Sequence, residues 1–127
     1  MNYRVYLVDD DHFLLDMYAV KFKAAGHDVT ALPGGEELLK TLREKGAPDA
    51  ILLDIIMPGM DGFQTLEAIR KEKLAPATTK VIVLSNQGQD SDIEKAKALG
   101  AAGYIVKASA IPSEVLAETV SLIEKKT

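Results

Sequence analysis

The sequence predicts a three-layer α/β domain in which a doubly wound, parallel sheet is covered by helices on both faces. Short apolar runs of strand length alternate with segments of helical periodicity along the 127 residues, which is the pattern of successive βα units. The runs Val5 to Val8, Ala50 to Leu53 and Val81 to Leu84 do not alternate with polar residues, as expected for strands buried on both faces. We therefore expect five strands and five helices in one domain spanning residues 1 to 127.

The first two βα units occupy the amino-terminal part of the chain. After the first strand comes a helix whose apolar stripe we expect to face the sheet, formed by Leu14, Met17, Tyr18 and Phe22. A weaker apolar run, Val29 to Leu32, predicts the second strand. The helix around Leu38 to Leu42 is introduced by Pro33, Gly34 and Gly35 and ended by Gly46 and Pro48.

Three further units follow the strand at Ala50 to Leu53. The third helix carries an apolar stripe formed by Phe63, Leu66 and Ile69. A helix around Ile93 to Leu99 stops at Gly100, and Tyr104 to Val106 predicts the fifth strand. Pro112 suits the first turn of the last helix, whose stripe comprises Val115, Leu116, Thr119 and Ile123.

Composition excludes several classes of protein. The net charge of -4 and the isoelectric point near 5.1 argue against direct, nonspecific binding of nucleic acid. With no cysteine there is no disulfide framework, zinc thiolate site or thiol catalysis. The amino terminus lacks the apolar segment of a signal peptide, and no apolar stretch approaches the roughly 20 residues of a membrane span. We expect a cytoplasmic protein without membrane contact.

Polar residues stand where four of the strands end. Asp9 and Asp10 follow the first strand, Asp54 the third, Ser85 the fourth and Lys107 the fifth. In a doubly wound sheet the ligand site lies beyond the carboxyl ends of the strands, so these side chains are expected to meet.

Each of these residues also has a structural explanation. Asp11 is best explained as the N-cap of the first helix and is left outside the site; Ser85 alone suits a backbone contact, and Lys107 a solvated strand end. One cap does not account for both Asp9 and Asp10. Asp54 follows three apolar residues and needs a cation beside it.

Together the residues indicate phosphoryl chemistry. Three carboxylates suit a hard dication that binds oxygen ligands, and a Lys and a Ser hydroxyl then meet an anion placed among them. Attack by the Asp54 carboxylate on phosphorus would give an acyl phosphate, for which positioning and charge neutralisation supply most of the catalysis.

Four segments in this order closely resemble one family over essentially the whole chain: VDDD from Val8, LLDIIMPGMDG from Leu52, VIVLSN from Val81 and GYIVK from Gly103. They are similar to the receiver domains of response regulators in two-component signal transduction, including the chemotaxis regulators. The resemblance implies a flavodoxin-like sheet of order 2-1-3-4-5. It also implies a signalling phosphoacceptor that assists its own phosphorylation and dephosphorylation, rather than an enzyme.

The resemblance assigns a role to each site residue. Asp54 would be the phosphoacceptor, with Mg²⁺ or Mn²⁺ held by Asp10, by Asp9 directly or through water, by Asp54, and by the backbone carbonyl of Ile56. Lys107 would pair with a phosphoryl oxygen. Ser85 would be the switch hydroxyl and Tyr104 the aromatic residue that follows it, although Tyr104 alone suits a residue half covering the sheet edge.

The same resemblance implies partners. A sensor histidine kinase or a histidine phosphotransfer protein would supply the phosphoryl group. The face formed by the fourth helix, fifth strand and fifth helix would then switch toward an unidentified protein target or output domain. The domain would be a monomer or a phosphorylation-dependent dimer.

The chain departs from the family's pattern near the site. Ala108 stands where a proline usually follows the conserved Lys, and because a cis bond before a non-proline residue costs about 3 kcal/mol, we expect a trans bond. Pro112 lies further after Lys107 than the family's usual spacing, which implies a longer loop before the last helix. Asn86 replaces a small residue and, with Ile56 and Gln87, predicts slower dephosphorylation than in fast chemotaxis-type receivers.

Three other functions fit part of the pattern. An aspartate-nucleophile phosphatase of the haloacid dehalogenase type uses similar residues, but it places the nucleophile first in a DxD motif and the acidic pair last. A flavin binder would need a phosphate loop after the first strand, where Asp9 to Asp11 would repel a phosphate. A receiver used only for interaction would not need every charged site residue.

Overall fold

Five strands alternate with five helices in the structure, a computed structural model that describes residues 2–86, 89–107 and 110–125. The strands are β1 (Arg4–Val8), β2 (Asp28–Leu32), β3 (Ala50–Asp54), β4 (Lys80–Ser85) and β5 (Gly103–Val106). The helices are α1 (His12–Ala24), α2 (Gly35–Lys45), α3 (Gly62–Glu72), α4 (Asp90–Ala98) and α5 (Pro112–Glu124). The predicted succession of five βα units is therefore confirmed.

The strands form one parallel sheet in the order β2-β1-β3-β4-β5, which confirms the expected topology. In this order β1 and β3 are adjacent at the centre, and Val8 pairs with Leu53. Asp54 pairs with Leu84, and Ser85 pairs with Val106. The point where the strand order reverses therefore lies between the ends of β1 and β3, where doubly wound folds bind ligands.

Apolar side chains fill both faces of the sheet. β3 is buried along its whole length, whereas β2 and β5 at the edges are only partly buried. On one face, α1 and α5 pack on a layer that includes Leu7, Leu52 and Ile105. On the other face, α2 and α3 cover a second layer. Because successive strand residues point to opposite faces, each central strand contributes to both layers.

The position of Met17 differs from the prediction that it belongs to the buried stripe of α1. The α1 residues that are buried are Leu15, Tyr18, Ala19 and Phe22. They follow the i, i+3, i+4, i+7 spacing of one helix face, and Met17 lies off that face with 39% of its side chain exposed. Choosing Leu14 rather than Leu15 as the first residue of the stripe shifted its centre toward Met17.

Polar caps fix the helices that begin at the carboxyl edge of the sheet. The Asp11 carboxylate accepts a hydrogen bond from the Leu14 N–H at 3.2 Å, which confirms Asp11 as the N-cap of α1. Pro112 is the first residue of α5, as predicted.

No described helix combines the length and the apolar character that a membrane crossing requires.

Candidate functional site

A polar cleft opens at the carboxyl edge of the sheet, above β1 and β3. Its described lining comprises Asp9, Asp10, Asp11, Leu14, Asp54, Ile56, Asn86 and Lys107. Parallel strands end at the same edge, so residues that are distant along the chain meet there. The structure thus brings together the predicted residues from the ends of β1, β3 and β5.

Three carboxylates form the centre of the cleft. Asp9, Asp10 and Asp54 each offer one oxygen, and these oxygens lie within 4.8 Å of one another. Asp9 and Asp54 are buried, whereas Asp10 is exposed. Buried acids at this spacing repel one another unless cations balance them.

Lys107 supplies one such cation. Its ammonium donates a hydrogen bond to Asp9 Oδ2 at 2.6 Å and lies 3.4 Å from Asp54 Oδ1. Burial opposes its charge, but the bond to Asp9 and the charges of Asp54 and Asp9 more than compensate and raise the pKa of Lys107. The side chain is 7% exposed, so the solvated strand end that the sequence also allowed is excluded.

Both oxygens of Asp9 accept hydrogen bonds from the protein. Oδ1 accepts the Asp11 N–H at 3.0 Å, and Oδ2 accepts the Lys107 ammonium. The Asp9 backbone N–H donates in turn to Leu32 at the end of β2. Asp9 is therefore held rigidly between the first helix and the fifth strand.

Asp54 lies in a less favourable environment for a negative charge. The pKa of Asp54 is raised to about 6, because burial and the charges of Asp9 and Asp10, which raise it, outweigh the charge of Lys107, which lowers it. Lys107 therefore offsets only part of the cost of burying this carboxylate. A second cation beside Asp54 would lower this cost further.

The segment between β3 and α3 is fixed at both ends. The Gly62 N–H donates to the Ile55 carbonyl at 2.7 Å, and Asp61 and Gln64 form a capping box with bonds of 3.0 and 2.8 Å. A Cβ on Gly62 would lie 2.3 Å from the Asp54 carbonyl oxygen and 2.7 Å from Ile55 Cα. Only glycine permits this approach of α3 to Asp54.

The remaining predicted residues lie around this centre. Ser85 is buried at the end of β4, next to Asn86, which lines the cleft. Ile56 is 62% exposed at the cleft wall. Tyr104, partly buried on β5, packs against the cluster of Phe63, Val83 and Ala96, away from the carboxylates. The predicted roles of Gln87 and Ala108 fall outside the described residues.

The donor set fits a hard divalent cation. Three carboxylates and one ammonium leave a formal charge of −2, which one dication balances. Oxygen ligands are those that Mg²⁺ and Mn²⁺ prefer. Asp10 and Asp54 are the best placed to bind directly, because both oxygens of Asp9 already accept hydrogen bonds.

Two contributions to the site were missed in the sequence. Leu14 packs against the core, as predicted, and it also lines the cleft. Gly62, which enters the sequence pattern only within the segment LLDIIMPGMDG, is the first residue of α3 and packs on the Asp54 backbone. A glycine directly after a helix N-cap is a weak sign of close packing, and nothing else in a single sequence would reveal that contact.

Comparison with known proteins places this geometry in a family. The model of the response regulator receiver domain matches residues 5–120. The transcriptional regulatory protein AfsQ1 of Streptomyces coelicolor is 35% identical over 101 residues, which cover 80% of this chain and 43% of AfsQ1. The alkaline phosphatase synthesis transcriptional regulatory protein PhoP of Bacillus subtilis is 29% identical over 125 residues, 98% of this chain and 50% of PhoP. The chain thus spans half or less of these two relatives.

Solved structures agree with the sequence relatives. The Vibrio cholerae chemotaxis protein CheY4 superposes with a TM-score of 0.84 at 27% identity, covering 96% of this chain and 99% of CheY4. The match therefore includes the cleft as well as the sheet. Since the family model matches most of the chain and the carboxylates and Lys107 converge at the edge where this fold binds ligands, the chain belongs to the response regulator receiver domain family.

Proposed function

We propose that Asp54 accepts a phosphoryl group from a histidine kinase or a histidine phosphotransfer protein. The observation that carries the proposal is the position of Asp54, a buried carboxylate within 4.8 Å of two other carboxylates and 3.4 Å from a buried ammonium. A purely structural acid would not need two negative neighbours. Membership in the receiver family supports the same role.

The transfer is a displacement at phosphorus. An Asp54 oxygen forms the new bond to phosphorus, while the bond from phosphorus to the donor nitrogen, or to the leaving oxygen of a small donor, breaks. The leaving group keeps the electron pair of that bond; a histidine nitrogen then takes a proton from solvent, whereas the acetate of acetyl phosphate leaves as the anion. The product is an acyl phosphate on Asp54.

Asp10, Asp54 and the backbone carbonyl of Ile56 would hold Mg²⁺ or Mn²⁺, and Asp9 would bind it through water. When bound, the ion neutralises negative charge on the transferred group and on the carboxylates. The segment that carries Ile56 is anchored by the bond from Gly62 to Ile55 and by the Asp61 cap, which would limit the movement of that carbonyl.

Lys107 would pair with an oxygen of the phosphoryl group. Its ammonium contacts Asp9 at 2.6 Å and lies near Asp54, so a short movement toward Asp54 would bring it to the new anion. Asn86 lines the same cleft, where its side chain would restrict the access of water to the phosphoryl group. We therefore expect dephosphorylation to be slower than in fast chemotaxis-type receivers, and an acyl phosphate lost within seconds would contradict this.

Output would pass through the face formed by α4, β5 and α5. Ser85 lies at the end of β4, beside β5, and Tyr104 lies on β5 near α4. A hydroxyl drawn toward the phosphoryl group would thus alter packing next to Tyr104. The partner on this face is a protein target or an output domain.

A phosphoacceptor and a phosphatase differ in whether a phosphoryl group remains bound to the protein. Incubation with acetyl phosphate and Mg²⁺, followed by intact mass measurement, should show one added phosphoryl group on the parent and none on Asp54→Asn. Asp11→Asn removes one charge from the cleft lining but keeps a side chain that can cap α1 and leaves the proposed metal ligands in place, and it should be labelled like the parent. Equal labelling of Asp54→Asn would exclude Asp54 as the acceptor, and turnover of acetyl phosphate without a lasting label would favour the phosphatase.

A further inference from the structure

Tyr18 occupies an unusual position between the core and the cleft. It lies on α1 and is 3% exposed. Its side chain belongs to the apolar cluster that α1 and α5 form on one face of the sheet, together with Leu84, Ile105 and Val115. Leu14, one helical turn earlier on the same face of α1, already lines the cleft.

The charged residues of the cleft stand on the same side of the sheet as Tyr18. Leu7, Leu52 and Ile105 all belong to the cluster of Tyr18. Two residues further along the chain come, respectively, Asp9, Asp54 and Lys107. Because side chains two apart on a strand share a face, the charged residues continue the layer in which Tyr18 is packed.

The electrostatic environment of Tyr18 agrees with this placement. Burial raises the pKa of Tyr18, the charge of Lys107 lowers it, and the charges of Asp9 and Asp54 raise it. The charges of Lys107, Asp9 and Asp54 therefore all affect the pKa of the Tyr18 phenol.

Ala110, which lies between Lys107 and α5, packs on the same cluster. The Ala110 N–H donates to the Lys107 carbonyl at 3.3 Å, and Ala110 packs against the residues around Tyr18. No proline follows Lys107 in the sequence, so its backbone has no ring to restrain it there. Tyr18 and Ala110, a residue close to Lys107 in the chain, therefore share one apolar cluster.

We propose that Tyr18 is a positioning residue for Lys107, holding the ammonium on the side of the cleft where Asp9 and Asp54 lie. This proposal rests on the proposed function, in which Lys107 meets the phosphoryl group. The Tyr18 ring belongs to the layer that the charged residues continue, where its bulk would limit movement of the Lys107 side chain toward α1. Misplacing a charged group that stabilises a transition state slows the reaction more than it changes the fold.

The test compares Tyr18→Leu, which removes the outer ring, with Tyr18→Phe, which removes only the hydroxyl. Tyr6→Phe is the matched control, because it deletes another buried phenol hydroxyl, one that donates to the Gly46 carbonyl on the opposite face of the sheet. The first measurement is the initial rate of labelling by acetyl phosphate and Mg²⁺. The second is the NMR signal of the Lys107 side-chain nitrogen and its adjacent methylene.

We expect Tyr18→Leu to label about 3- to 30-fold more slowly and to shift or broaden the Lys107 signal. Tyr6→Phe should retain the parent rate and signal. A change confined to Tyr18→Leu assigns the positioning to the ring, and a change in Tyr18→Phe as well assigns part of it to the hydroxyl. If Tyr18→Leu does not fold, Tyr18→Met, which also removes the ring, takes its place.

Parent rates and an unchanged Lys107 signal in every folded Tyr18 variant would overturn the proposal. Absence of label on the parent would instead contradict the proposed function. In that case the Lys107 signal alone still decides whether Tyr18 positions the ammonium.

Discussion

The Lys107 ammonium bonds to Asp9 at 2.6 Å, closer than its 3.4 Å distance to Asp54. Without a phosphoryl group, the first partner of Lys107 is thus a neighbour of the acceptor and not the acceptor itself. This arrangement keeps the lysine buried and charged while leaving Asp54 accessible to a donor. The buried carboxylates of Asp9 and Asp54 thus share the Lys107 ammonium, which balances part of their charge.

Replacing Lys107 with methionine should destabilise the metal-free protein. Methionine has a similar length but no charge, so Asp9 and Asp54 would remain buried without their cation. Removing one partner of a buried ion pair is strongly destabilising, and we expect a loss of about 2 to 4 kcal/mol in the free energy of unfolding. Urea denaturation at neutral pH in a chelator measures it, and added Mg²⁺ should restore part of the loss.

Arg43→Met is the control for that experiment. The Arg43–Glu72 ion pair has a similar distance, 2.8 Å, but its side chains are 49% and 41% exposed. Exposed pairs contribute at most about 1 kcal/mol, so this variant should remain close to the parent. A Lys107→Met variant as stable as Arg43→Met would show that Lys107 is not needed to balance the carboxylates.

Asp54→Asn should stabilise the metal-free protein at neutral pH. The folded pKa of Asp54, about 6, lies above the unfolded value of 3.8, so the folded state binds the proton more tightly. The contribution of Asp54 to stability therefore falls as pH rises from about 4 to about 6 and stays low above that window. The variant should gain roughly 1 to 3 kcal/mol at pH 7.5.

The gain should diminish as the pH falls through the same window, because the parent then becomes neutral at Asp54. Urea denaturation at several pH values in a chelator measures the difference, with Asp16→Asn on the exposed side of α1 as the control. A loss of stability in Asp54→Asn at pH 7.5 would mean that burial does not dominate the environment of Asp54.

Mg²⁺ should stabilise the parent and Asp11→Asn but not Asp10→Asn. A ligand that binds only the folded state at 100 times its dissociation constant adds about 2.7 kcal/mol. Asp10 offers an oxygen to the cluster, whereas the carboxylate of its neighbour Asp11 caps α1. Thermal unfolding with and without Mg²⁺ separates the two roles, and an equal response in Asp10→Asn would remove Asp10 from the metal site.

Gly62→Ala should distort the acceptor segment. The new Cβ would meet backbone atoms of Asp54 and Ile55 at 2.3 and 2.7 Å, and backbone cannot move away as a flexible side chain can. We expect a loss of about 1 to 3 kcal/mol in stability and weaker binding of Mg²⁺, measured by urea denaturation and by Mg²⁺ titration.

Gly34→Ala is the matched control, because its Cβ would meet only the end of the Glu37 side chain. This variant should remain within about 0.5 kcal/mol of the parent. Comparable losses in both variants would show that the cost comes from losing glycine at the start of a helix and not from the packing on Asp54.

The fold was predictable because its signals are local and repeated. The apolar runs at Ala50 to Leu53 and Val81 to Leu84 have no polar alternation, and both strands are buried on two faces. The face of α1 was less certain, since the helix has apolar residues around much of its circumference, including exposed Phe13 and Val20. Met17 was misplaced for that reason.

The site was predictable only at the ends of strands. Asp54 and Lys107 stand at positions that parallel topology brings to one edge, so their convergence follows from the fold. Gly62 and Leu14 reach the site from helices, and their roles depend on packing distances that a single sequence does not contain. Which partner Lys107 prefers likewise depended on the geometry of Asp9.

The central claim is that Asp54 itself carries the phosphoryl group. Borohydride reduces an aspartyl phosphate to homoserine, so treatment of the labelled protein followed by peptide sequencing by mass spectrometry identifies the modified residue. We predict homoserine at position 54 in the parent treated with acetyl phosphate and Mg²⁺, and none without Mg²⁺. Homoserine at Asp9, Asp10 or Asp61, or an unmodified Asp54 in fully labelled protein, would contradict it.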